Sequence, residues 1–322
     1  MQIDVIIATY NRAAMLERAV RSVLAASREP EFDYSITVVD NNSTDATRET
    51  IARLAEESNG RLRYLFEPHQ GKSYAVNTGI AATGGDVIAF ADDDQAMDLE
   101  WLSAIHRAMA DGYDYVTGRV LGVWEIEPPA WYDDRLCGVI SVVDLGVERI
   151  PHGEDESQQG FSGCNAAVRR AAIEQVGGYH PELGKLTGSF AMNEDGELLL
   201  RLREAGFRGL YEPGMTVYHC VPRERLTKSY FRRWHRGYGR SMALIDALHP
   251  KPVGYWFGAP RFLIRRTIES LPRMIAARLR GDLPGAFEQE LNLWFMLGFV
   301  GGKLNSAPPE PVPSLNQTAN RL

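Results

Sequence analysis

Short apolar runs that break off into polar residues recur through the first hundred positions. Ile3 to Ala8 reads as a buried strand followed by Thr9-Tyr10-Asn11-Arg12. The segment Ala13 to Ala26 carries Leu16, Val20, Val23 and Leu24 at helical spacing. Ser35 to Val39 predicts a second strand, ending in Asp40-Asn41-Asn42-Ser43-Thr44-Asp45. Asp45 is placed to cap a helix from Ala46 to Glu57, with Ile51, Leu54 and Ala55 on one side. Leu62 to Phe66 is a third strand, and the loop Glu67 to Lys72 leads into a helix through Val76 to Ala82. Val87 to Ala91 completes the series and runs straight into Asp92-Asp93-Asp94. Apolar strands alternating with helices predict a parallel sheet covered on both faces. Their polar ends then share the edge where open α/β sheets bind ligands.

The pattern weakens beyond Gly112. Asp114 to Leu121 predicts a strand, and Glu125 to Tyr132 a connection rich in proline and aromatics. Trp124, Trp131 and Tyr132 suit either core packing or stacking on an acceptor sugar. His152 to Gln159 is a polar loop. Phe161-Ser162-Gly163-Cys164-Asn165 reads as a turn before a helix, with Ser162 or Asn165 as its cap. Asn193 to Leu202 is an amphipathic helix whose acidic first turn suits the helix dipole, and Val217 to Pro222 is a further strand. Asp282 to Lys303 is a last helix, able to pack on the core, to pair two copies as a homodimer or to lie in a bilayer interface. Ala307 to Leu322, with four prolines, reads as a disordered tail. The expected divisions are a catalytic domain over 1–222, a basic, aromatic helical extension over 223–305, and the tail over 306–322.

Composition narrows the class. With 322 residues, 44% hydrophobic and 24% charged, the chain matches soluble globular proteins, and its net charge of -7 argues against general nucleic-acid binding. Cys137, Cys164 and Cys220 share no metal-ligand spacing and are too few for a disulfide framework, which fits a reducing, cytoplasmic setting. Met1 leads into a strand without a basic signal region, and the apolar run Leu291 to Val300 is well short of the roughly eighteen residues of a spanning helix. The charge is polarised, however. From Arg223 to Arg280 fourteen basic residues face three acidic ones, a net +11, so the remainder carries -18. This segment suits an anionic membrane surface on the cytoplasmic face, where each basic residue adds about 1 kcal/mol. It equally suits a helical hairpin whose aromatics pack on the core and whose arginines bind a diphosphate. Arg232, Arg233 and Arg236 are the expected charged edge over the site.

Three adjacent carboxylates at a strand end repel one another unless a cation or several donors compensate. Hard oxygen ligands suit Mg²⁺ or Mn²⁺, with substrate phosphates and water completing the shell. The bland alternative is an acidic turn in which Asp93 or Asp94 caps a helix near Leu99. Asp40 can accept from the N–H of a base or form an Asx turn. Lys72, after Gly71 and before a helix, can meet a phosphate or remain a solvated loop lysine. Neither a P-loop nor a G-x-G-x-x-G fingerprint is present.

Ile6-Ile7-Ala8-Thr9-Tyr10-Asn11-Arg12, Val38-Val39-Asp40-Asn41-Asn42-Ser43-Thr44-Asp45, Gly71-Lys72-Ser73-Tyr74-Ala75-Val76-Asn77-Thr78-Gly79-Ile80 and Ala91-Asp92-Asp93-Asp94 occur in that order. Over about residues 1 to 222 the chain resembles a family 2 glycosyltransferase of the GT-A fold. The resemblance implies a Rossmann-like, mostly parallel sheet flanked by helices, with a helical C-terminal extension, and a nucleotide-diphosphate-sugar donor. It places Thr9, Tyr10, Arg12 and Asn42 in the nucleotide pocket, with Asp40 reading the base, usually uracil. Lys72 and Asn77 would lie near the nucleotide or its phosphates. Asp92 and Asp94 would be the metal pair, Asp94 the direct ligand, with Asp92 and Asp93 alternatively holding the ribose or sugar. Gly163 and Asn165 fall near the donor sugar and acceptor. Asp195 would be the general base of an inverting transfer and Glu194 would orient the acceptor or its loop. His219 would approach a Mn²⁺ or Mg²⁺ ion. The acceptor is a hydroxyl on a glycan, a lipid-linked species or a small molecule.

Two rivals share these features. A nucleotidyltransferase would carry a Gly-rich, arginine-containing loop where Thr9-Tyr10-Asn11-Arg12 stands, and a non-catalytic relative would be expected to lose Asp94 or Asp195.

Overall fold

The computed structural model describes residues 1–26, 32–153, 163–184, 192–250, 252–305 and 312. The strands are β1 (Gln2–Thr9), β2 (Asp33–Asp40), β3 (Leu62–Phe66), β4 (Val87–Asp92), β5 (Gln95–Met97), β6 (Tyr115–Trp124), β7 (Ile150–Pro151), β8 (Asn165–Arg169) and β9 (Gly209–Val221). The core helices are α1 (Ala13–Ala25), α2 (Thr47–Glu57), α3 (Lys72–Ala82), α4 (Trp101–Ala110), α5 (Arg170–Val176) and α6 (Glu194–Glu204). The C-terminal part adds α7 (Lys228–Leu248), a small hairpin of β10 (Tyr255–Trp256) and β11 (Ala259–Pro260), α8 (Arg261–Leu279) and α9 (Leu283–Asn305).

Among the described residues nine strands form one mixed sheet in the order β3-β2-β1-β4-β8-β6-β9-β5, with β7 also on β9. β3, β2, β1 and β4 are parallel, whereas β8 runs antiparallel to both β4 and β6. Alternation along the strands divides the core in two. Ile3, Val5 and Ile7 face Leu16, Val20, Ile51, Leu54 and Trp101, whereas Ile6, Ile88 and Phe90 face Ile80, Ile173 and Leu198. A parallel strand with helices on both faces must be apolar throughout, hence the unbroken runs in the sequence. Each fully buried Leu or Ile contributes about 1.5–3 kcal/mol.

Register puts the polar strand ends side by side. Thr9 pairs with Asp40, Ala8 with Asp92, and on the far side Gln95 and Gly122 flank His219.

Several expectations are corrected. Asp93 and Asp94 cap no helix, because β5 intervenes and α4 starts only at Trp101. Asn165 is no helix cap either. It opens β8, wholly buried, and its side chain accepts from Trp101 Nε1 at 2.8 Å and donates to the carbonyls of Arg119 and Met215. Asp45 does act at the head of α2, accepting from the Thr47 N–H at 3.1 Å. Trp124, Trp131 and Tyr132 pack with Phe231, Leu226 and Phe287, an apolar joint between the sheet and the C-terminal helices. Phe161, Ser162, residues 154–159 of the polar loop and all of the tail but Val312 lie outside the described residues.

Candidate active site

The carboxylates of β4 lie where strand, loop and β9 meet. Asp93 and Asp94 are buried, and Asp92 is half-buried at the rim. Thr9 donates its hydroxyl to Asp93 Oδ2 at 2.8 Å, and Arg12 pairs with Asp93 at 2.8 Å and Asp94 at 3.1 Å. Lys72, first residue of α3, holds Asp92 at 2.7 Å and lies 3.9 Å from Glu194. Burial works against the lysine charge, but Asp92 and Glu194 more than offset it, keeping the ammonium well above its usual range.

A further residue, Arg225, was not singled out in the sequence. It donates to Asp94 Oδ2 at 3.0 Å and approaches His219 Nε2 at 3.1 Å. A guanidinium only donates, so Nε2 accepts in this contact. The arginines expected at the site were instead Arg232, Arg233 and Arg236. Arg232 pairs with Glu290 of α9 at 2.7 Å, and Arg233 and Arg236 are exposed on α7. The short turn after β9 carries Arg225 back over Asp94.

Asp94 Oδ1 is buried, receives no hydrogen bond and lies 3.5 Å from His219 Nε2. Burial opposes ionisation of Asp94, yet the Arg225 and Arg12 guanidiniums beside it hold its carboxyl far below the usual range. A hard oxygen and an imidazole nitrogen converging in this way fit a divalent cation of the Mg²⁺ or Mn²⁺ kind. Among the described residues no three His, Cys, Asp or Glu side chains converge on one point, so phosphate and water would complete such a shell.

Beyond Lys72, α6 presents Glu194 and Asp195. Asp195 accepts from the Gly163 N–H at 2.7 Å through Oδ2 and from the Gly196 N–H at 2.8 Å through Oδ1. Glu194 is buried. Desolvation first, and then the neighbouring Asp195 charge, push its carboxyl up to about 7 despite Lys72.

Other expected residues are occupied structurally. Asp40 accepts from the Ser43 N–H at 2.8 Å and the Tyr64 hydroxyl at 3.0 Å. Its β2 end lies beside Thr9, so a turn-forming role and a place at the site coincide. Asn42 is exposed, with φ 67°, and Tyr10 is half-buried in the loop after β1. The Asn77 amide donates to the Tyr179 carbonyl and accepts from the Tyr179 N–H, both at 2.8 Å. Asn77 therefore positions Tyr179, whose phenol lies in the field of Asp195, Lys72, Glu194 and Asp92. Asn165, clasped as described above, offers no free polar group to a sugar.

The Glycosyl transferase family 2 profile matches residues 4–177. The chain is 26% identical to the succinoglycan biosynthesis protein ExoM of Rhizobium meliloti, over 77% of each chain. It is 24% identical to the glucosyl-dolichyl phosphate glucuronosyltransferase of Haloferax volcanii, over 78% of this chain and 79% of the relative. A 43% identity to an uncharacterized glycosyltransferase of Nostoc spans only 29% of this chain and 28% of that protein. Among solved structures, the mannosyltransferase PcManGT from Pyrobaculum calidifontis, in complex with GDP-Man and Mn²⁺, superposes with a TM-score of 0.59 at 17% identity, covering 95% of this chain and 88% of its own. GalNAc-T7 with UDP, GalNAc and Mn²⁺ gives 0.53 at 16% identity, covering 79% and 52%. The fold is the GT-A type.

Proposed function

The chain belongs to glycosyl transferase family 2, and from that premise we propose that it is an inverting, metal-assisted enzyme. It moves a sugar from a nucleotide-diphosphate donor, a UDP-sugar in the first instance, to a hydroxyl acceptor. One observation carries the reading. Arg12, Lys72 and Arg225 surround Asp92, Asp93 and Asp94, each cation held by a carboxylate of that triplet. Such a ring can exchange its internal ion pairs for a diphosphate and a divalent cation with little change in net charge.

Asp94 and His219 would hold Mn²⁺ or Mg²⁺, which when bound neutralises charge on the diphosphate. Arg12, Lys72 and Arg225 contribute in the same sense, stabilising the negative charge that develops on the leaving group. Asp195 takes the proton of the attacking hydroxyl, whose oxygen bonds to the anomeric carbon. The bond from that carbon to the diphosphate breaks, and its electron pair leaves with the nucleoside diphosphate. A single base opposite the leaving group inverts the anomeric configuration. Gly163 and Gly196 orient Asp195, and Lys72 links Glu194 to the donor side.

The test is calorimetric titration of UDP, GDP and their sugar conjugates, with Mn²⁺, with Mg²⁺ and with chelator. Metal-dependent binding of one nucleotide class supports the donor assignment; absence of binding under every condition defeats it. The name of the Haloferax relative makes a glycosylated polyprenyl phosphate one acceptor class to include in turnover assays.

A further inference from the structure

α8 and α9 pack as an antiparallel pair. Leu263, Ser270 and Ala277, seven residues apart, are the buried positions of α8. Leu263 clusters with Phe299, and the Ser270 hydroxyl accepts from Asn292 Nδ2 at 3.1 Å. α9 meets α7 on another side, where Gly298 and Gly302 lie against the backbone of Arg236 and Arg240.

These contacts fix what the remaining faces do. On α8, Ile268, Leu271, Ile275 and Leu279 recur at three- and four-residue spacing, roughly a fifth of a turn or more from the α9 contact. On α9, Leu293, Leu297, Val300 and Leu304 repeat in the same way, opposite the α7 contact. Because the helices run antiparallel, both stripes emerge on the same side, away from α7. Exposure there is high: Ile268 65%, Ile275 56%, Leu279 84%, Leu297 59% and Leu304 79%. At the N-terminal end of α8 the β10–β11 turn adds exposed Trp256 and fully exposed Phe257, the latter at φ 50°, where a bulky residue is strained.

Soluble surfaces rarely show an apolar face of this extent without a partner. Its borders are cationic. On α8 the exposed Arg261, Arg265 and Arg278 flank the stripe; Arg265 pairs with Glu269, the one acid of α8, at 2.7 Å, and Arg278 lies 3.9 Å from Glu290 of α9. The rest of the chain is strongly acidic, so these arginines stand out against the general field. A second copy is a poor occupant, since a two-fold contact of this face would bring the arginine borders of two identical copies together. An apolar face with a cationic border on a helix pair lying flat is the geometry that enters the headgroup region of a bilayer, the arginines reaching to phosphates. No helix among the described residues is long and apolar enough to cross a membrane.

We propose that the α8–α9 pair is a docking face that lies in the plane of an anionic lipid bilayer. The face is separate from the carboxylate site. It is connected to it through Phe287 and Leu291 of α9, which pack with Leu226, the neighbour of Arg225. Docking would hold the site at a fixed height above the lipid surface.

The experiment is co-sedimentation of the full-length chain with vesicles of phosphatidylcholine alone and with added phosphatidylglycerol. Binding to the anionic vesicles that weakens with salt is expected. The exposed triple variant Ile268→Gln, Ile275→Gln, Leu279→Gln should lower that partition about tenfold or more, with nucleotide binding and thermal unfolding unchanged. A second variant, Arg265→Gln with Arg278→Gln, keeps the apolar face and should lose the preference for anionic lipid. Failure to partition into anionic vesicles overturns the proposal. So does undiminished partition of the triple variant, or a solution dimer that the triple variant dissociates. None of these readouts depends on the donor assignment, which the nucleotide titrations test separately.

Discussion

Gly163 donates its backbone N–H to Asp195 Oδ2 at 2.7 Å, and a Cβ built on Gly163 would fall on the Asp195 side chain. The glycine therefore sets both the hydrogen bond and the clearance that hold the carboxylate. If Asp195 is the base, Asp195→Asn should keep donor affinity and lower transfer about 10²–10⁴-fold, the usual contribution of a positioned base. Gly163→Ala should act in the same direction more weakly, through displacement of the carboxylate. Single-turnover kinetics beside donor titrations separate the two quantities; transfer retained by Asp195→Asn would remove the base assignment.

Asp94 is expected to control metal-dependent donor binding. In Asp94→Ala, His219 and Arg225 lose their shared carboxylate, and the Mn²⁺-dependent gain in nucleotide affinity should vanish. Asp94→Asn retains the shape but loses the charge, and should bind nucleotide no better with Mn²⁺ than with chelator. Calorimetry in paired buffers measures this directly, and an unchanged metal response would exclude Asp94 as a ligand.

Glu194 makes stability depend on pH. Its folded-state carboxyl is pushed from 4.5 up to about 7, so its stabilising contribution is complete below pH 4.5 and is lost as pH rises towards 7. Relative to wild type, Glu194→Gln should gain stability across that window, on the order of 1–3 kcal/mol, and then run parallel above it. Urea denaturation at a series of pH values gives the curve. A constant difference between the two proteins from acid to neutral pH would show that Glu194 ionises normally.

Gly298 and Gly239 allow α7 and α9 to approach backbone to backbone: a Cβ on Gly298 would overlap the Arg236 carbonyl, and one on Gly239 the Phe295 carbonyl. Gly298→Ala should cost about 1–3 kcal/mol through overpacking, since backbone cannot yield as a flexible side chain can. Thermal unfolding reads this as a lowered Tm. Donor affinity measured well below the transition should stay unchanged.

The sequence by itself determined the alternating parallel core and the ordered polar strand ends. Both follow from local rules: a buried strand must be apolar throughout, and its polar continuation must lie at the sheet edge. Thr9, Asp40 and Asp92 were legible as neighbours for that reason, and β1–β2–β4 register places them together. What only the tertiary structure decided concerns contacts across long separations. Asn77 and Asn165 read as polar residues for a ligand, but the fold gives their amides to Tyr179, Trp101 and two carbonyls, because buried backbone and indole groups need partners. Arg225 was one cation among fourteen until the chain reversal after β9 set it on Asp94, and Arg232 was directed to Glu290 by the packing of α7 on α9. Likewise, the sequence predicts a basic helical extension and a last helix, but which apolar positions of α8 and α9 are covered depends on their antiparallel pairing. That pairing leaves the two apolar stripes on one side, a relation no local spacing encodes.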